Sequence, residues 1–205
     1  MNRDMDLIRY GNDLFHYLPD NIQPGTADPF ERLQQRLDEF QYVVRPVVGD
    51  DGNCVPRSIA HQLFSNEEHH PYVRETVAAQ LRVFWERYIY QRSAGAYERY
   101  VDKMATQTKW CDFTFCQAAA DVFRVKFFEI VSYDSYAKCI ILPHDRVFKK
   151  VIFICSSDEH TDSMFPVGVQ QERVPPVSDV RLRLMRNTGL FTAQDLNRNL
   201  HTHFA

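Results

Sequence analysis

Long apolar runs, a strong charge of one sign and a cysteine framework are all missing from this chain of 205 residues. No stretch approaches the ~20 consecutive apolar residues of a membrane span, so a membrane is not an expected partner. The 24 basic and 27 acidic side chains leave a net charge of −3. That balance lacks the basic excess of nucleic-acid binders, so no nucleic-acid partner is expected either. With 7 glycines and 10 prolines the chain is neither collagen-like nor low in complexity. The 5 cysteines are too few, and odd in number, for a disulfide scaffold. They read as free thiols in a reducing compartment, the cytoplasm, with the nucleus left open. Met1 to Asp6 is charged with no apolar stretch behind it, so a secretory leader is not expected. There is no internal repeat.

The remaining composition, 44% apolar and 25% charged, suits one globular domain able to bury a core without staples. Asp28 followed by Pro29 reads as a helix N-cap and first turn, with Phe30, Leu33, Leu37 and Phe40 on one face. Tyr42 to Val48 is β-rich, and Pro46 makes it an edge strand or a bulged one. Asp50-Asp51-Gly52-Asn53 is a turn, and Val55, Ile59 and Leu63 predict a helix from Cys54 to Phe64. Val73, Val77, Leu81, Phe84 and Tyr88 predict a second helix from near Pro71. Further helices are expected at Tyr97 to Ala105 and at Phe113 to Phe123, the latter capped by Asp112. The period then changes, and Val125–Val131, Lys138–Leu142 and Val151–Cys155 read as strands. The expected class is mixed α/β (α+β), a small central sheet packed by helices. Pro166 to Pro176 reads as a linker, with helix-compatible runs between Ser178 and Leu200. The expected division is an N-terminal extension over 1–28, a domain over 29–166 and a C-terminal extension over 167–205.

Cys54 differs from the other four cysteines. Cys116, Cys139 and Cys155 lie within apolar helix or strand runs, and Cys111 follows Trp110. No Cys/His cluster has zinc-ligand spacing, so no metal is expected. Cys54 stands where a strand passes through a tight turn into a helix. A thiol there meets the positive helix end and unpaired amides, which favour thiolate. The same amides could hold the oxyanion of a tetrahedral acyl intermediate. Asp51 could brace the turn or lend charge near a histidine.

A thiol nucleophile needs a base. Among 8 histidines, His160 follows a predicted strand through the polar loop Ser156–Glu159. Asp162 projects to the same side as His160 if that stretch is extended, where it could accept the second ring N–H and set the tautomer. His69 and His70 read as helix-start surface, His201 and His203 as tail, and His16, His61 and His144 have no evident partner. A lone cysteine after a turn and a surface His-x-Asp remain the simpler readings of each fragment alone.

Together, the fragments resemble the ovarian-tumour (OTU) family of cysteine deubiquitinases. Asp51-Gly-Asn-Cys54 with Arg57-Ser-Ile-Ala60 looks like its nucleophile block. Glu68 to Val77 looks like the helix that follows, and Tyr100–Met104, Trp110, Gln117–Asp121 and Val125–Phe128 look like its middle block. Glu159-His160-Thr161-Asp162-Ser163 looks like its histidine block, 106 residues from Cys54 to His160. The blocks are in order over roughly residues 30–166.

The resemblance implies an OTU-like fold and a set of roles. Cys54 would be the nucleophile, His160 the base and then the acid, and Asp162 the group that orients His160. Asp51 matches an acidic position counted with the family's active site. Its backbone amide and that of Cys54 would form the oxyanion hole. The implied partners are ubiquitin, polyubiquitin chains and ubiquitinated proteins, the reaction is isopeptide hydrolysis through a thioester, and no cofactor is implied. Pro56 stands where the family usually has a large apolar residue, Cys111 replaces a glycine, Phe115 an aliphatic residue and Thr161 an aromatic one. The alternatives are an OTU-like ubiquitin-binding module of low or no activity, and a cysteine hydrolase for another ubiquitin-like modifier.

Overall fold

The structure, a computed structural model, describes residues 28–168 apart from Val48, Asp50, Gln91, Asp158 and Glu159. The expected terminal extensions, with the linker and the helix-compatible runs before Leu200, lie outside the described residues except for Asp28, Val167 and Gly168. Helix α1 spans Pro29–Glu39, and Asp28 caps it by accepting from the amides of Phe30 and Glu31. Strand β1 is Tyr42–Arg45, and α2 is Cys54–Phe64. A 3-10 turn at Glu67–His69 leads into α3, His70–Val83. The short α4, Trp85–Tyr88, is followed by α5, Ala94–Ala105, and α6, Phe113–Phe123. The sheet is completed by β2 (Val125–Val131), β3 (Lys138–Ile141), β4 (Lys150–Ser156) and β5 (Thr161–Pro166).

The five strands are ordered β1-β5-β4-β2-β3. Only β2 and β4 are parallel, pairing from Val125 with Lys150 to Val131 with Ser156. Strand β5 is antiparallel to both its neighbours, Cys155 facing Asp162 on one side and Val44 facing Met164 on the other. Strand β1 lies at the sheet edge, and Pro46 falls just past its end, where it removes no ladder hydrogen bond. Alternation of side chains splits the core between the two faces. Ile130, Cys155 and Met164 pack with Leu33 and Leu37 of α1. Val125, Phe127, Ile152 and Ile154 pack with α2, α3, α5 and α6. The result is a mixed α/β fold of helix, sheet and helix layers, as the sequence predicts.

Three local expectations change. Phe30 is 71% exposed, because the buried stripe of α1 runs through Arg32, Leu33, Arg36 and Leu37. The guanidinium of Arg36 donates to the carbonyls of Tyr133 (2.7 Å) and Val131, taking up acceptors at the end of β2. The single helix expected from Pro71 to Tyr88 breaks at Phe84, which is itself exposed. His69 and His70 are buried, with the ring of His69 edge-on to Phe64.

Candidate active site

The turn before α2 is shaped by a glycine and held by an arginine. Gly52 has φ +73°, and a Cβ there would lie 2.6 Å from the Thr108 carbonyl oxygen. Only glycine allows both the left-handed backbone and this close approach. Asn53 occupies the N-cap of α2 but makes no capping bond with its side chain. Its Oδ1 instead accepts from Arg74 Nε (3.1 Å) and Nη2 (2.8 Å). Arg74, wholly buried, also donates to the carbonyls of Gly52 (3.0 Å), Met104 (2.9 Å) and Lys109 (2.8 Å). One guanidinium therefore joins the turn to the segment between α5 and α6. Because Asn53 is diverted, no side chain from the N-cap covers the first amides of α2, which have no partner within the helix. Cys54 opens that helix, half-buried.

The side chain of Asp51 braces the turn. Its carboxylate accepts from the Asn53 amide (3.0 Å), Asn53 Nδ2 (3.0 Å) and Arg57 Nη2 (3.1 Å). Burial alone would raise its pKa, but these donors and the Arg57 charge hold it down at about 2. Arg57 also pairs with Glu68 (3.2 Å).

His160 lies just before β5 and Asp162 within it. His160 Nε2 and Asp162 Oδ1 are 3.0 Å apart, so this pair is brought together as the spacing predicts. Asp162 Oδ1 also accepts from the Val47 amide (2.9 Å), a second bond that holds the carboxylate. The His160 carbonyl accepts from the Ser157 amide (2.9 Å), closing the bend between β4 and β5. With Nε2 donating to Asp162, Nδ1 keeps its lone pair.

Hydrogen bonds between α2 and β5 set the position of Cys54 relative to this pair. Ser58 Oγ donates to the Thr161 carbonyl (3.0 Å), Ser163 Oγ to the Ser58 carbonyl (3.3 Å) and Gln62 Nε2 to the Met164 carbonyl (3.2 Å). The helix and strand thus run alongside each other in the same direction. Cys54 lies one turn before Ser58 on the same flank, and His160 one residue before Thr161. Both sit at the same end of the paired elements.

Thr161 and Pro56, unusual for the resemblance, have plain local surroundings. The Thr161 side chain is buried, its Oγ1 2.9 Å from Ser156 Oγ, which in turn donates to Glu129 (2.6 Å). It faces the core. Pro56 is third in α2, where no intrahelical N–H is lost. His144 does have a partner: its Nδ1 lies 2.6 Å from Asp121, which also accepts from the His144 amide and from Tyr88. Burial pushes the thiols of Cys111 and Cys155 up to about 12 and raises those of Cys116 and Cys139 further.

Arg74 is the organising residue that the sequence reading missed. A signal was present, since Arg74 shares a helical stripe with His70, Val77, Ala78 and Leu81, all buried. A charge inside an apolar stripe implies buried acceptors.

A family description, OTU-like cysteine protease, matches residues 49–144. Three proteins of Arabidopsis thaliana are similar in sequence. Ovarian tumor domain-containing deubiquitinating enzyme 9 is 38% identical over 140 residues, 67% of this chain and 40% of that protein. Enzyme 11 is 33% identical over 169 residues, 80% of this chain and 66% of the relative. Enzyme 12 is 33% identical over 155 residues, 74% of this chain and 68% of the relative. The chain thus spans well under half of the first of these and about two thirds of the others. In structure it is similar to the OTUD1 OTU domain, with a TM-score of 0.56 at 15% identity, covering 67% of this chain and 94% of that one. The viral OTU domain protease of Dera Ghazi Khan virus gives 0.51 at 16% identity, covering 62% and 82%. At such identities the likeness establishes the fold alone, and it is the expected OTU-like fold.

Proposed function

This chain belongs to the ovarian-tumour family of cysteine proteases, and we propose that it works as one: a thiol-dependent deubiquitinase. The relatives from Arabidopsis thaliana are named as deubiquitinating enzymes. The observation that carries the reading is local. A histidine bonded to a carboxylate stands beside β5, at the end where α2 presents Cys54. The catalytic unit is residues 29–166, flanked by 1–28 and 167–205.

Cys54 is the nucleophile. His160 Nδ1 takes its proton while Nε2–H donates to Asp162, which holds the ring orientation and stabilises the imidazolium. The thiolate adds to the carbonyl of the ubiquitin C-terminus. The negative oxygen is held by the backbone amides of Cys54 and Asp51, an arrangement in which one donor typically contributes ~10²–10³ in rate. His160 then returns the proton to the lysine amine that leaves. Water, deprotonated by His160, hydrolyses the thioester and frees the enzyme. The side chain of Asp51 acts through the turn, by holding Asn53 and Arg57. The substrates are polyubiquitin chains and ubiquitinated proteins. Free thiols at all five described cysteines suit a reducing compartment, the cytoplasm.

A ubiquitin probe with a C-terminal electrophile tests this. The full chain should form a covalent adduct that is absent in Cys54→Ala. Reversible binding without adduct, or capture only by a probe built on another modifier, would overturn it.

A further inference from the structure

Cys111 has no part in the chemistry above, yet it lies against the nucleophile turn. Its Sγ is 3.9 Å from the Lys109 carbonyl oxygen. That oxygen accepts from Arg74 Nη2 at 2.8 Å, and the same Nη2 donates to the Gly52 carbonyl at 3.0 Å and to Asn53 Oδ1 at 2.8 Å. The backbones on the two sides touch, since a Cβ on Gly52 would lie 3.2 Å from the Lys109 amide nitrogen. Cys54 and Cys111 pack, both half-buried, against the same core. Burial raises the Cys111 thiol, Arg74 opposes this, and the nearby Cys54 adds to it. Where the family resemblance has a glycine, this chain therefore has a second thiol on the segment that abuts the turn of the first.

We propose that Cys111 is a resolving thiol that captures oxidised Cys54 in a reversible disulfide. The proposal rests on Cys54 being the reactive thiol. The oxidant is a hydroperoxide. The Cys54 thiolate attacks one peroxide oxygen and the O–O bond breaks. With hydrogen peroxide, Cys54 becomes a sulfenic acid and one water is released. The Cys111 sulfur then attacks the Cys54 sulfur. The S–S bond forms, the S–O bond breaks, and the hydroxide leaves with the Cys111 proton as a second water. In sum, two thiols and one hydrogen peroxide give one disulfide and two waters. A dithiol reductant reverses the step. Because burial keeps Cys111 protonated at neutral pH, resolution should quicken as pH rises. The disulfide switches hydrolysis off and keeps Cys54 from the irreversible sulfinic and sulfonic states.

The test uses the full chain treated with hydrogen peroxide. Non-reducing peptide mapping should show the Cys54 peptide joined to the Cys111 peptide, and dithiothreitol should restore cleavage of a fluorogenic ubiquitin substrate. Cys111→Gly and Cys111→Ala should retain basal cleavage but lose nearly all reductant-recoverable activity, with Cys54 recovered as sulfinic and sulfonic acid. Absence of the joined peptides in the wild-type chain would overturn the proposal, whether or not the variants fold. So would recovery in both variants equal to wild type. A joined peptide in a chain that cleaves no ubiquitin substrate would sink the deubiquitinase reading while leaving the thiol pair standing.

Discussion

The turn before Cys54 and the strand after His160, the two halves of the proposed site, are held in opposite ways. On the turn side, residues 51–54 form no ladder. Gly52 is left-handed, and the path is fixed by Asp51 and by the bonds that one guanidinium, that of Arg74, makes to four acceptors. On the strand side, β5 pairs with β1 and with β4, and the His160–Asp162 pair rides on that framework. The strand shares its load among many backbone bonds, none of them indispensable. The turn concentrates it in one buried ion. A side with distributed support should lose chemistry when its functional residue is cut and keep its fold. A side with concentrated support should lose both together.

Arg74→Met gives the largest expected effect. It removes the charge but leaves three carbonyls and Asn53 Oδ1 buried without their donor, at a cost of about 3–5 kcal/mol. Urea unfolding should show the loss, and the ubiquitin probe should label Cys54 slowly even where the chain is folded. Arg74→Lys should rescue little, because an ammonium cannot span the same four acceptors. Near-normal stability in Arg74→Met would break the comparison. On the strand side, His160→Ala should lower turnover by ~10²–10⁴-fold with a nearly unchanged unfolding midpoint. Asp162→Ala should lower it less, since the carboxylate acts through the ring. Undiminished turnover in His160→Ala would remove it from the chemistry. Between these lies Ser58→Ala, which deletes one of several bonds joining α2 to β5 and should cost about 1 kcal/mol with turnover retained.

The same contrast explains what could be read from the sequence. The helices Cys54–Phe64 and Phe113–Phe123 were legible because their apolar period and, for the second, its Asp112 cap are local. The His160-x-Asp162 pair was legible because alternate residues of an extended stretch share a side whatever the fold. The support of the turn was not. Arg74 finds its acceptors at Gly52, Met104 and Lys109, on segments that no period connects. Nor did the sequence show that His144 bonds Asp121, since that partner lies on another element. The helix break at Phe84 is likewise invisible in an apolar spacing that runs unbroken through Phe84 to Tyr88. Local pattern gave most of the elements, though not strand β5, and one residue pair, while long-range carbonyl contacts decided how the turn before Cys54 is held.

Asp51 offers the smallest and most specific probe of the turn. Its folded pKa, about 2, lies below the ordinary 3.8 because the bonds from Asn53 and Arg57 outweigh burial. A lowered carboxylate pKa stabilises the fold above the unfolded value, and that contribution fades as pH falls from about 4 toward 2. The carboxylate is 38% exposed, so solvent screens the pair and the contribution should be about 1 kcal/mol or less. Asp51→Asn keeps much of the shape but gives up the charge. Its stability deficit, measured by urea unfolding, should therefore be present at pH 6 and shrink progressively below pH 4. Over the same range, Ser58→Ala, which changes no titrating group, should show a constant deficit. A deficit in Asp51→Asn that stays constant with pH would mean that the turn is held by shape and neutral hydrogen bonds, leaving Arg74 as its main ionic support.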